Sequence, residues 1–147
     1  MHIHQCLGCR LANKEQVVHL IYENDKLSCI LDHDPFNAGH TMILPKQHLE
    51  ESHEFSDEMN LSIMRAVQLL SKAINELYTP DGITICQNGG IFSELTHYHM
   101  HVVPRYTGQN FADFYQDGGA IDDPDEPFEK TAKKMRTYIE RLVREEY

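Results

Sequence analysis

The sequence predicts an α+β fold: a mainly antiparallel sheet of five strands, one long central helix and a C-terminal helix. Three observations carry this. Five short runs rich in β-branched and aromatic residues are bounded by turn-forming residues. Two longer stretches repeat apolar residues at helical spacing. The order of the runs, β-β-β-α-β-β-α, keeps strands consecutive in the chain, which favours antiparallel neighbours. A chain of 147 residues fits one domain, here expected over 1–147, with enough length for a core.

The first three strands are "VVHLIYE" (17–23), "LSCILD" (27–32) and "HTMILP" (40–45). Asn24 and Asp25 mark a tight turn between the first two. "DPFNAG" reads as a loop, punctuated by Pro35 and Gly39. The central helix starts at Ser56, a capping residue followed by Asp57 and Glu58 in the first turn, and stops before Pro80. Its stripe of Ile63, Val67, Leu70, Ile74 and Leu77 follows the 4-3-4-3 spacing of a buried face. "GITICQN" (82–88) is the fourth strand, "GGIFSEL" a loop, and the fifth strand contains the run "THYHMHVVPRY", closed by Pro104. An acidic connector, "DDPDEP", leads to the last helix, about 126–146, whose apolar face is Phe128, Ala132, Met135, Ile139 and Leu142.

Composition removes several function classes. A net charge of −10 and a pI near 5.4 disfavour nucleic acid as a partner, since duplex affinity rests on clustered Lys and Arg. No run of 18 apolar residues predicts a membrane span, and "MHIHQCLGCR" lacks the apolar core of a secretory signal, so a cytoplasmic location is expected. In a reducing compartment the four cysteines are thiols or metal ligands rather than disulfides.

Chemistry concentrates in "HYHMHVV". A strand turns alternate side chains to opposite faces, so His97, His99 and His101 share one face, and Tyr98, Met100 and Val102 the other. Alternate residues lie roughly 6.6 Å apart, a spacing suited to surrounding one substrate or one metal. Near the N-terminus "CLGC" supplies two thiols that can hold zinc from one turn. A redox pair is the competing reading, but no thioredoxin-like βαβ pattern follows.

"HYHMHVV", "NAGHTMILPKQH", "CLGC" and "IYENDKLSCILDHDP" together resemble the histidine-triad superfamily, in its zinc-carrying bacterial branch, over about residues 6–106. The resemblance implies cleavage or transfer at the α-phosphate of a purine nucleotide derivative, a phosphoramidate or a dinucleoside polyphosphate. The middle histidine, His99, is the nucleophile in such enzymes and forms a covalent nucleotidyl-histidine. A neutral imidazole suits this: if a backbone carbonyl takes the Nδ1 proton, Nε2 presents a lone pair to phosphorus. His101 would hydrogen-bond the phosphate or protonate the leaving group. His40 matches the additional active-site histidine, Asp32 the ribose-binding carboxylate, and Asn88 the polar residue near the α-phosphate.

The same resemblance implies a structural zinc held by Cys6, Cys9, His48 and His97, and a homodimer. It also exposes a departure. Where the family carries a small-residue phosphate-binding stretch, this chain has Phe92, Ser93, Glu94 and Leu95, in a loop one residue shorter. Ser93 can still donate a hydroxyl, whereas Glu94 repels a phosphate unless it is neutralised or turned away. Two other classes stay open: a hydrolase in which His97, His99 and His101 ligate a catalytic metal, and a nucleotide-binding regulator without turnover.

Overall fold

A computed structural model of the chain describes residues 6–116 and 125–146. Part of the expected acidic connector, residues 122–124, lies outside the described residues. The sheet begins where Asn24 folds the chain back: its Oδ1 accepts from the amides of Lys26 (2.8 Å) and Leu27 (3.0 Å). This side-chain-to-backbone turn joins β1 (Leu20–Glu23) to β2 (Leu27–Leu31). β3 (Thr41–Pro45), β4 (Gly82–Cys86) and β5 (Met100–Arg105) complete a five-stranded sheet of order β1-β2-β3-β5-β4, antiparallel throughout.

Helices cover both faces. α1 (Leu7–Ala12) lies on one, while α2 (Asp57–Tyr78) and α3 (Phe128–Glu145) pack on the other. The Ser56 hydroxyl caps α2, accepting from the Met59 amide at 3.1 Å. The stripe of α2 reaches the sheet through Ile63, Leu70 and Ile74, and that of α3 through Ala132, Met135 and Ile139, against Ile21, Cys29, Ile43 and Val102. Full burial of each large aliphatic contributes about 1.5–3 kcal/mol, so this layer is the main hydrophobic core. On the opposite face Ala12 packs on Ile30, Met42 and Leu44.

Register carries the histidines to the α1 face. Ile30, Met42, His101 and Cys86 form one row across the sheet, while Cys29, Ile43 and Met100 form the next. Tyr98, Met100 and Val102 accordingly turn to the helical core. The expected alternation is present, but regular pairing begins only at Met100, so His97 and His99 precede the strand. There Tyr98 N donates to Leu49 O at 2.7 Å, which keeps the lead-in extended without a neighbouring strand.

Two other expectations shift, and one helix appears that the sequence did not predict. Pro104 does not close β5, which runs to Arg105. Its backbone faces the side where β3 has already ended, and its carbonyl accepts from Asn37 Nδ2 at 2.8 Å, so its missing N–H interrupts no ladder. β1 starts at Leu20 rather than at Val17, which is 94% exposed: β2 ends at Leu31, whose amide donates to His19 O, so no partner remains for residues 17 and 18. α1 has no apolar periodicity long enough to predict it. It forms because Cys6 Sγ caps it, accepting from Cys9 N at 3.3 Å.

Candidate active site and metal centre

Two groups of side chains lie side by side on the α1 face, joined by the lead-in to β5. The first is Cys6, Cys9, His48 and His97, whose ligand atoms all fall within 4.8 Å of one another. Cys6 Sγ lies 3.5 Å from His97 Nδ1, and Cys9 Sγ lies 3.4 Å from the same atom and 3.2 Å from His48 Nδ1. Tetrahedral zinc with Zn–S of about 2.3 Å and Zn–N of about 2.0–2.1 Å sets S···N edges of about 3.5 Å, so these four donors match such a site. His97 Nε2 is 2.8 Å from Pro45 O and must donate to it, which leaves Nδ1 with its lone pair toward the thiols. Glu50 Oε1 stands 3.5 Å from His48 Nε2 in the same supporting position. Burial, then the neighbouring Cys6, pushes the Cys9 thiol up to about 12. A divalent cation reverses that bias, because it binds the thiolate.

Gly8 makes this centre possible. A Cβ at that position would lie 2.3 Å from His97 Cβ, so only glycine lets α1 approach the histidine.

The second group lines a cavity of about 280 Å³. Asp32, at the end of β2, His40, just before β3, and His101, in β5, form its floor, with His99 and Asn88 beside them. His99 Nδ1 lies 3.0 Å from His97 O, a contact that requires the proton on Nδ1. Nε2 therefore carries the lone pair and has no partner among the described residues. The His99 and His101 rings are 5.1 Å apart at 77°.

A chain of hydrogen bonds fixes the tautomer of His101. The Phe36 amide donates to His40 Nδ1 at 3.0 Å, so the proton of His40 sits on Nε2. That N–H donates to His101 Nδ1 at 2.9 Å, leaving His101 with Nε2–H as its free donor. Burial, reinforced by the charge of His99, lowers His101 to about 4, and burial with His101 beside it holds His40 well below the ordinary histidine range. Both are neutral at pH 7. Burial raises Asp32, whose Oδ2 lies 3.4 Å from His40 Nε2 and 3.6 Å from His101 Nδ1. With both imidazoles neutral these contacts are not ion pairs.

Asp32, His40 and His101 also lie close enough to suggest a metal site. The donor chemistry speaks against it. The Phe36 amide occupies the one lone pair of His40, and the nitrogen facing the group carries a proton. Nor do His97, His99 and His101 converge on a single point, since His97 Nδ1 faces the thiols.

Of the residues expected at the substrate site, His99, His101, His40, Asp32 and Asn88 line the cavity, as does Glu94. Ser93 does not: its hydroxyl donates to Leu95 O within its own loop. Next to Asn88, Gly89 packs against Glu51, where a Cβ would lie 2.5 Å from Glu51 Oε2. The sequence reading gave no role to His33, Asp34, Phe36, Phe114, Tyr115 or Gln116, which complete the wall. The aromatic density of "NFADFY" was the available signal for two of these, Phe114 and Tyr115, though not for where they pack.

A lone-pair imidazole held by a backbone carbonyl beside a second imidazole held as a donor, at the head of the fifth strand of this sheet, places the molecule among histidine-triad proteins. The chain belongs to the HIT family, whose domain model matches residues 13–108. The protein named "Protein hit" of Bacillus subtilis is 32% identical over 103 residues, 69% of this chain and 71% of that protein. Adenosine 5'-monophosphoramidase hnt1 of Schizosaccharomyces pombe is 28% identical over 102 residues, 68% of this chain and 74% of that one. The crystal structure of a Zn-bound histidine triad family protein from Mycobacterium smegmatis matches with a TM-score of 0.78 and 26% identity, covering 97% of this chain and 99% of that chain. No helix among the described residues is long and apolar enough to cross a membrane.

Proposed function

We propose that the protein is a nucleotide hydrolase or nucleotidyl transferase that cleaves at the α-phosphate of a purine nucleotide derivative through a covalent nucleotidyl-His99. The observation that carries this is the His99 ring, pinned through Nδ1 to the His97 carbonyl with its Nε2 lone pair open to the cavity. That lone pair attacks phosphorus as the bond to the leaving group breaks. His101 Nε2–H donates a hydrogen bond to the atom on which charge develops, and His40 keeps that proton in place. Water then displaces the nucleotide from His99, turning one difficult displacement into two easier ones. Asp32 and Asn88 take the ribose and the phosphate side of the substrate in this reading. The phosphoramidase activity named for the fission-yeast relative supports the reaction class.

Cys6, Cys9, His48 and His97 would hold a structural zinc, since four protein donors fill a tetrahedron and leave no open position. Its contribution is positional: it fixes His97, whose carbonyl in turn fixes His99. Four free cysteines fit a cytoplasmic protein. Exposed Leu61 and Met64 on α2 and Ile85 on β4 support a homodimer built on that edge of the sheet.

The test is a turnover screen of adenosine and guanosine phosphoramidates, dinucleoside polyphosphates and adenylyl-sulfate, with phosphoramidates or dinucleotides expected to lead. Trapping of a nucleotidyl adduct on His99 should accompany it. His99→Ala should lower kcat to below a few per cent of wild type while the melting temperature hardly changes, because the lost group is the nucleophile. Retained turnover in that variant would refute the assignment.

A further inference from the structure

The wall of the cavity beyond β5 comes from a segment that lies mostly outside the family-matched residues, which end at 108. This segment is anchored firmly. Asn37 and Gln109 exchange two amide hydrogen bonds of 2.8 Å each, and Gln109 Oε1 also accepts from Tyr106 N at 3.2 Å. The Arg105 guanidinium sits 4.4 Å from the centre of the Phe111 ring, which stacks on Phe114 at 5.0 Å and 20°. Phe36 closes the cluster with edge contacts to both rings, at 5.7 and 6.1 Å.

The outcome of this anchoring is the place of one ring. Phe114 meets His101 edge-on, at 5.2 Å and 84°, and lies at 5.6 Å and 40° against His40. It thus covers the hydrogen bond between them, on which the free proton of His101 depends.

We propose that Phe114 is a positioning residue for His101: its ring shields the His40–His101 hydrogen bond from water and holds His101 in the tautomer that presents Nε2–H to the cavity. The catalytic value of this tautomer rests on the nucleotidyl-histidine reading, but the shielding itself does not. In water the two neutral tautomers of an imidazole interconvert readily, and a hydrated ring is also easily protonated. A histidine boxed between an aromatic ring and a neighbouring imidazole, its Nδ1 already committed, can do neither at neutral pH. The ionisable groups facing His101 are His40 just before β3, Asp32 just after β2, His99 on its own segment and Cys86 opposite it in β4, with His33, Asp34, Glu94 and Tyr115 elsewhere on the cavity lining. None of them supplies the apolar cover that Phe114 gives.

The test is a histidine NMR titration of the zinc-loaded full chain, with His101 assigned by comparison with His101→Asn. The wild-type ring should titrate near 4. In Phe114→Ala the midpoint should rise by about one unit or more toward the ordinary value of about 6.5, and the acid limb of kcat should move in the same direction. At pH 7 kcat should fall about tenfold with KM changed less than about threefold, since a donor that acts on developing charge is lost from the transition state more than from the bound substrate. Phe114→Leu keeps an apolar cover over the pair and should stay within about half a unit of wild type. An unchanged midpoint in Phe114→Ala, or an equal shift in Phe114→Leu, overturns the proposal. Absence of turnover in the wild type would instead count against the nucleotidyl-histidine reading, while the titration still decides the role of Phe114.

Discussion

Glu94 lines the cavity with Asp32 and Asp34, and among the described residues no Lys or Arg lines it. If the proposed function holds, phosphate binding falls to histidines and amides, and every further negative charge on a ligand meets repulsion that no Lys or Arg of the described lining offsets. Replacing Glu94 by Gln removes one charge at nearly constant shape. KM for a dinucleoside tetraphosphate should fall by roughly three- to tenfold and that for an adenosine phosphoramidate by less, with the gap narrowing as salt rises. Steady-state KM values at low and high salt decide it: equal ratios for the two substrates would show that the carboxylate points away from the ligand. Glu94 was readable in the sequence because it breaks a motif. His99, His101 and His40 were readable because short-range spacing fixes their faces. Phe36 and Phe114 were not, since their place depends on the Asn37–Gln109 amide pair, a contact between residues 72 apart in the chain.

At the scale of elements, the sheet and the two long helices follow from patterns that act locally: alternation, the Ser56 cap and the stripes of α2 and α3. What local pattern misses is set by tertiary contact. Pro104 sits inside β5 because β3 stops short, and α1 exists because Cys6 caps it over the Cys6–Cys9–His48–His97 cluster. The dependence of α1 on Gly8 is testable. A methyl group 2.3 Å from His97 Cβ is far inside van der Waals contact, and both neighbours are backbone-proximal, so the helix itself must move. Gly8→Ala should separate Cys6 and Cys9 from His48 and His97 and lower zinc occupancy after purification. Overpacking costs about 1–3 kcal/mol before any loss of metal is counted, and each kcal/mol corresponds to about 2–4 °C for a chain of this size. A melting temperature and zinc content equal to wild type would mean that α1 does not dock on His97 as described.

For the whole molecule, burying a row of neutral histidines makes stability depend on pH with a definite sign. His101 is held at about 4 and His40 well below the ordinary range. The unfolded chain takes up protons at these sites near pH 6.5, where the folded chain does not, so their contribution is complete above that pH and is lost as pH falls toward 4. Asp32, raised by burial, acts in the opposite sense: the folded state is the one that binds its proton first, which offsets part of the loss. Glu23, lowered by Lys14 and then Lys46, adds stability that disappears only at still lower pH. Net destabilisation between pH 7 and 4.5 is therefore expected from the histidines, with release of any zinc held by the Cys6 and Cys9 thiolates adding to it. Comparison with His101→Asn separates the two, because both proteins share the metal centre and only one carries the buried imidazole. Urea unfolding of both at pH 7 and 4.5 should show wild type losing roughly 2–3 kcal/mol more than the variant. Parallel losses would mean that His101 is protonated in the folded state at the same pH as in the unfolded one, and that the cover over the site does not keep water out.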